Sequence, residues 1–252
     1  MKVRDQQDRK ALRKIGQIVG EVLAEMIKAA KPGMSTRELD ALGSEMLAKH
    51  GARSAPILLY NFPGATCISV APAVAHGIPN ETILKAGDLV NVDVSAELDS
   101  YFGDCGASFV LPGSDSELAK ARETHVREAR EIFDTIVGSV RADLPFYRLG
   151  QIMQQTAKAK GYTLIRNLCS HGVGLHLHED PRYILPFPDF EDKRNMEKDL
   201  VITIEPFISK GSEEIIQSDD GWTLIPRPEV DTVQFEHSMI ITADGPELLT
   251  LP

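Results

Sequence analysis

Five segments of this sequence carry side chains able to bind cations or move protons. Asn91-Val92-Asp93-Val94 and, eleven residues further on, Asp104 place two carboxylates in otherwise apolar runs. Ser170–Glu179 is Gly-rich and holds His171, His176 and His178. Val201–Phe207 and Thr232–Ile241 each set one glutamate, Glu205 and Glu236, inside an apolar strand-like run. Charged side chains are almost never buried unpaired. Taken singly, each has an ordinary explanation, a solvent-facing glutamate or a hydrogen-bonded histidine. Together Asp93, Asp104, His171, Glu205 and Glu236 supply four carboxylates and one imidazole. That set exceeds the needs of a closed structural zinc, which takes four ligands and favours thiolates. Calcium prefers all-oxygen shells and has no use for the imidazole. Two divalent ions about 3.5–4 Å apart, bridged by carboxylates and by a water that both activate, account for the whole set. Oxygen-rich ligation suits Mn²⁺, Fe²⁺, Co²⁺ or Zn²⁺.

The elements that must position these groups follow from periodicity. Val90, Val92 and Val94 alternate with Leu89, Asn91 and Asp93, so Leu89–Val110 reads as a β-hairpin. A turn centred between Leu98 and Asp99 sets Asp93 directly opposite Asp104, where like charges destabilise the pair. Such a pair needs a raised pKa or an intervening cation. Arg9–Ala30 carries a helical stripe stopped by Lys31-Pro32-Gly33. Ser35–Glu38 is a capping box opening a second helix that ends at Gly51, and Ser114–Glu117 reads as another. A fourth helix runs from Phe146 to Gly161, whereas Pro56–Gly64 reads as a punctuated connection. Strands are expected at Thr66–Val70, Thr163–Leu168, Leu200–Ile208, Trp222–Ile225 and Thr232–Thr242. A shift of 110 aligns Leu39 with Leu149, Leu42 with Ile152 and Gly51 with Gly161, a faint internal repeat. The expectation is one α+β domain over residues 1–252, with pseudo-twofold halves of about 1–113 and 114–252. Helices would cover one side of a curved antiparallel sheet.

Composition narrows the partners. Lys plus Arg total 27 against 37 Asp plus Glu, a net charge of −10. That balance argues against nucleic acid and anionic membranes as partners. No apolar run approaches the ~20 residues of a membrane span. Cys67, Cys105 and Cys169 form no CxxC motif and no disulfide framework, and the N-terminal segment is charged where a signal peptide is apolar. A reducing cytoplasm is the expected location.

Six segments in order make the sequence resemble the type I methionine aminopeptidases over essentially its whole length. They are Thr66–Val70, Val74–Pro79, Asn91–Val94 with Asp104, His171–Gly174, Thr203–Pro206 and Glu236-His237. The 26 residues between His178 and Glu205 leave no room for the type II helical insertion, so the likeness is to the short bacterial form. The resemblance implies the pita-bread fold and a hydrolase removing initiator methionine from nascent proteins and peptides with a small second residue. A water activated by two divalent metal ions would do the chemistry. It implies that Asp104 and Glu236 bridge the ions, Asp93 holds one, and His171 and Glu205 the other. Glu205 would double as general base, while His76 and His178 would bind the scissile amide and the oxyanion. Phe62, Cys67, Leu177 and Trp222, with Tyr60 nearby, would line the methionine slot, although Trp222 could equally be core.

Cys169 becomes a pocket neighbour, and His125, His176 and His237 are surface or packing residues. Peptides and nascent chains at the ribosome are the implied partners, and a monomer the implied state. The sequence departs from the family at Ala71-Pro72-Ala73, where Asn-Glu is usual, and at Ser100, Cys105 and Ser170, but it keeps every ligand. The last three positions read as contacts behind the ligands. Prolidases and aminopeptidases P share the five ligands but carry an extra N-terminal domain. A peptide-binding protein that had kept only the fold would have lost ligands.

Overall fold

A computed structural model describes residues 1–252. Helix α1 (Gln6–Ala29) starts where Asp5 accepts from the amides of Gln7 and Asp8, and buries Leu12, Ile15, Val19, Val22 and Met26 at helical spacing. Helix α2 (Thr36–Lys49) opens on the expected capping box between Ser35 and Glu38. After strand β1 (Arg53–Ser54) comes α3 (Ala55–Tyr60), capped by Ser54 with Pro56 in its first turn. The punctuation at Pro56 therefore opens a helix instead of a loop, because proline at a helix start loses no hydrogen bond. Next come β2 (Cys67–Val70), β3 (Leu89–Leu98) and β4 (Tyr101–Val110). Helix α4 (Glu117–Ser139) is capped by Ser116, not by Ser114, whose hydroxyl instead accepts from the Ser116 amide. Helix α5 (Phe146–Ala159) is as long as α2 and displaced from it by the 110 residues of the faint repeat.

The remaining strands are short until the last long one. They are β5 (Thr163–Leu164), β6 (Ser170–Gly172), β7 (Glu179–Ile184), β8 (Val201–Ile204), β9 (Phe207–Ser209), β10 (Glu214–Gln217), β11 (Leu224–Arg227), β12 (Thr232–Ile241) and β13 (Pro246–Leu248). The run expected as one strand at Leu200–Ile208 is thus broken at Glu205-Pro206, since proline lacks the amide a ladder needs. Thr163–Leu168 shortens to two residues, and the Trp222 strand begins instead at Leu224.

The main sheet runs β1-β3-β4-β12-β8-β6-β7, and every pair within it is antiparallel. Strands β10 and β11 form a separate ribbon. Strand β12 is the seam: one edge pairs with β4 and the other with β8 and β9. Its Phe235 and Met239 join Val92 and Val94 of β3, Ile15 and Val19 of α1 and Phe133 of α4 in one apolar core. The helices thereby cover one face of the sheet, and the other face is left to the polar residues.

The hairpin register differs from expectation by two residues. Leu98 pairs with Tyr101, so Asp93 faces Gly106 and Asp104 faces Ser95. The turn is the two-residue Asp99-Ser100, both left-handed with φ of 52° and 72°, which matches the twist a tight hairpin demands. Asp93 and Asp104 remain on one face, diagonal instead of opposite, because a slip of two keeps side-chain direction.

Candidate active site

Three strands aim polar side chains at the face away from the helices. Alternation puts Asn91, Asp93 and Ser95 on that face of β3. The pairing aligns Ser108, Gly106 and Asp104 of β4 against them, and Glu236 of β12 pairs with Gly106 from the other side. Gln234 lies beside Ser108, whose hydroxyl accepts its amide at 3.0 Å. Ser238 exchanges hydrogen bonds with the Asp104 backbone. Gly106 sits between Asp93 and Glu236, and a Cβ there would come within 2.6 Å of the Gln234 carboxamide. The missing side chain is the space the site is built around.

His171 and Glu205 complete the centre from the other half of the chain. His171 donates from Nδ1 to the carbonyl of Gly172 at 2.9 Å, which leaves the Nε2 lone pair facing the carboxylates. Nε2 lies 3.7 Å from Asp104 and 3.4 Å from Glu205. Glu205 stands just past β8, its amide donating to the Ser170 hydroxyl at 2.9 Å. Donor atoms of Asp104, His171 and Glu236 all lie within 4.8 Å of one another.

The electrostatics suit a cation. Burial raises the carboxyl of Asp93 to about 7 and lifts Asp104, Glu205 and Glu236 above the ordinary range, with neighbouring carboxylates adding to the last three. Burial, then His178, pushes His171 down to about 3, so the imidazole is neutral and available as a ligand. Glu236 Oε2 accepts from Gln234 at 3.1 Å, whereas its Oε1 is buried without any hydrogen-bond partner. An orphaned carboxylate oxygen beside other carboxylates and a neutral imidazole fits a divalent cation.

A cavity of about 630 Å³ opens over this centre. All five residues expected as metal ligands line it, together with His76, His178, Tyr60, Phe62, Cys67, Leu177 and Trp222. His76 sits in a left-handed turn, φ 52°, in a loop that pairs with Leu224 of β11. Burial lowers its basicity and that of His178, which His76 lowers further. The His178 ring lies 4.2 Å from that of His171, and its Nδ1 is 2.6 Å from the Tyr60 hydroxyl. Phe62 and Trp222 meet edge to face at 5.1 Å, so Trp222 belongs to the cavity wall and not to the core.

Other residues fall elsewhere. His125 is fully buried and stacks on Tyr162, His176 is exposed, and His237 packs against Phe133 on the helix-covered face. Cys169 lines the cavity. Cys105 points into the apolar core and Ser100 lies in the hairpin turn, so neither stands behind a residue expected as a ligand; only Ser170 does, accepting from the Glu205 amide. The sequence reading passed over the Asn91–Gln234–Glu236 chain of hydrogen bonds, whose signal is polar residues at alternate positions of otherwise apolar strands.

Comparison with known proteins agrees with this geometry. Residues 10–243 match the model of metallopeptidase family M24. Methionine aminopeptidase 2 of Bacillus subtilis is 41% identical over 99% of both chains. The crystal structure of methionine aminopeptidase from Thermotoga maritima superposes with a TM-score of 0.93 at 28% identity, covering 100% of both chains. A prolidase from Pyrococcus furiosus, 23% identical, shares the fold at a TM-score of 0.78 over 99% of this chain and 65% of its own. The architecture is the pita-bread fold common to these proteins.

Proposed function

Because the chain belongs to metallopeptidase family M24, among its methionine aminopeptidases, we propose that it removes the N-terminal methionine from peptides and nascent proteins whose second residue is small. The observation that carries this reading is the unpartnered Glu236 Oε1 beside other carboxylates, in a cavity also lined by Tyr60, Phe62 and Trp222. Asp93, Asp104, His171, Glu205 and Glu236 would hold two divalent ions drawn from Mn, Fe, Co or Zn. Bound there, the ions supply Lewis acidity toward water and toward the scissile carbonyl.

The chain's own groups divide the remaining work. Phe62, Cys67, Leu177 and Trp222 take the methionine side chain, a flexible thioether that packs well against aromatic edges. Tyr60 donates its hydroxyl proton to His178 Nδ1, which fixes Nε2–H as the donor. His178 then hydrogen-bonds the oxyanion that develops on the first peptide carbonyl, and His76 the scissile amide. Glu205 would take the proton of the attacking water and pass it to the leaving amine. Residues 1–252 act as a single catalytic domain with related halves of about 1–113 and 114–252. No helix is long and apolar enough to cross a membrane. The proposed setting is a monomer in the cytoplasm acting on peptides and on chains leaving the ribosome.

Metal-stripped protein, before and after adding Mn²⁺, Co²⁺ or Fe²⁺, provides the test with Met-Ala-Ser, Leu-Ala-Ser and Ala-Pro-Ser peptides read by mass. Metal-dependent release of methionine alone is the expected result. Preferred cleavage of Ala-Pro-Ser would move the protein to the proline-directed branch, and no turnover with any metal would end the enzyme reading.

A further inference from the structure

The mouth of the catalytic cavity carries one cation, Arg182 of β7, the sole Lys or Arg among the residues lining it. Its neighbours there include Asn167, Cys169 and Tyr183. Arg182 is exposed, and its guanidinium makes no hydrogen bond or ion pair with any group of the protein. The backbone beneath it is placed by strand pairing and by the Cys169 thiol, which lies 3.9 Å from the Arg182 carbonyl. Asn167 is not free to bind a ligand, since its side chain bonds both backbone groups of Ile215 at 2.9 Å and ties this wall to the β10–β11 ribbon. Asp104 and Glu236 are buried beneath the cavity they line, whereas Arg182 lines the same cavity exposed to solvent.

We propose that Arg182 forms a subsite for a carboxylate two residues beyond the methionine, on the third residue of the substrate. This rests on the aminopeptidase reading above. With methionine in the slot lined by Phe62, Cys67, Leu177 and Trp222 and the first peptide bond beside Glu205 and His178, the chain must leave through the mouth. An extended peptide advances about 3.3 Å per residue, and alternate side chains point to opposite walls. The carboxylate has two sources, an aspartate or glutamate side chain at position three or the C-terminus of a tripeptide. A lysine at position three would meet Arg182 as a like charge. An exposed pair of this kind is worth a small factor, about two- to fivefold, expressed in KM because it is made equally in ground and transition states.

The test measures kcat/KM of metal-loaded enzyme on Met-Ala-Asp-Gly-amide, Met-Ala-Ser-Gly-amide and Met-Ala-Lys-Gly-amide, and on Met-Ala-Ser with a free or amidated terminus. Expected are an Asp-to-Lys preference of about two- to fivefold, shrinking at high salt, and a parallel preference for the free tripeptide terminus. Arg182→Ala should bring the Asp-to-Lys ratio to one, Arg182→Glu should invert it, and Arg182→Lys should restore part of it. A preference confined to the free terminus would assign the subsite to short peptides alone. Equal rates for Asp and Lys peptides together with indifference to amidation, or a ratio that survives Arg182→Ala, would overturn the proposal. Failure to release methionine from any peptide would instead overturn the aminopeptidase reading.

Discussion

Strands β3, β4 and β12 present two faces that are almost equally buried and chemically opposite. Toward the helices stand Val92, Val94, Cys105 and Phe235; away from them stand Asn91, Asp93, Asp104, Gln234 and Glu236. The first face gains from leaving water and asks only for complementary shape. The second loses solvation with every polar atom it buries, and each must recover it from a partner. Amides and hydroxyls recover it within the grid, through Asn91, Ser108, Gln234 and Ser238. The carboxylates do so only in part: Glu236 Oε2 accepts from Gln234, and Oε1 is the remainder. The same backbone thus holds a scaffold on one side and a set of unmet charges on the other.

The comparison breaks most sharply at the proposed metal ligands. Asp104→Asn should lower kcat/KM by about 10³-fold or more, as weakened cation binding implies. Bound metal, counted by elemental analysis, should fall with it while the far-ultraviolet circular dichroism is unchanged. Unfolding of this variant would mean that the polar face also carries the fold. The reciprocal change is Phe133→Ala on the helix-covered face, where a fully buried ring is removed. Urea denaturation should show a loss of about 3–5 kcal/mol, while the folded fraction keeps its metal stoichiometry. A smaller effect separates ligand from support. Gln234→Met deletes the donor to Glu236 Oε2 at similar volume, and calorimetric metal titration should show affinity about 10–100-fold weaker. Unchanged affinity would mean that Glu236 needs no orienting partner.

Much of this was legible in the sequence because the signals are local. The stripe of α1 and the capping box of α2 depend on neighbours a few residues away, and both appear where expected. The hairpin misreading came from placing its turn on Leu98 and Asp99, when left-handed φ values at Asp99 and Ser100 set it one residue later. The error did little harm, since a slip of two moved Asp93 from opposite to diagonal without turning it over. Long-range bonds were the hidden part. That the Ser170 hydroxyl would hold the Glu205 amide, or Tyr60 would reach His178, depends on how distant segments meet. Arg182 carries no motif at all, and only its place at the rim marks it.

The position of β12 as seam also governs the order in which the molecule can be made. During synthesis β4 emerges with β3 as its only neighbour, and its other edge waits until residues 232–241 follow. Contacts so distant along the chain close slowly, because loop entropy must be overcome before they form. An early half-sheet with an open edge is a target for wrong pairing. Asp104 and Glu236 come from the two sides of that delay, so the cation-binding centre assembles only when the last central strand docks. A fluorescent metal or an active-site ligand would therefore report completion of folding itself.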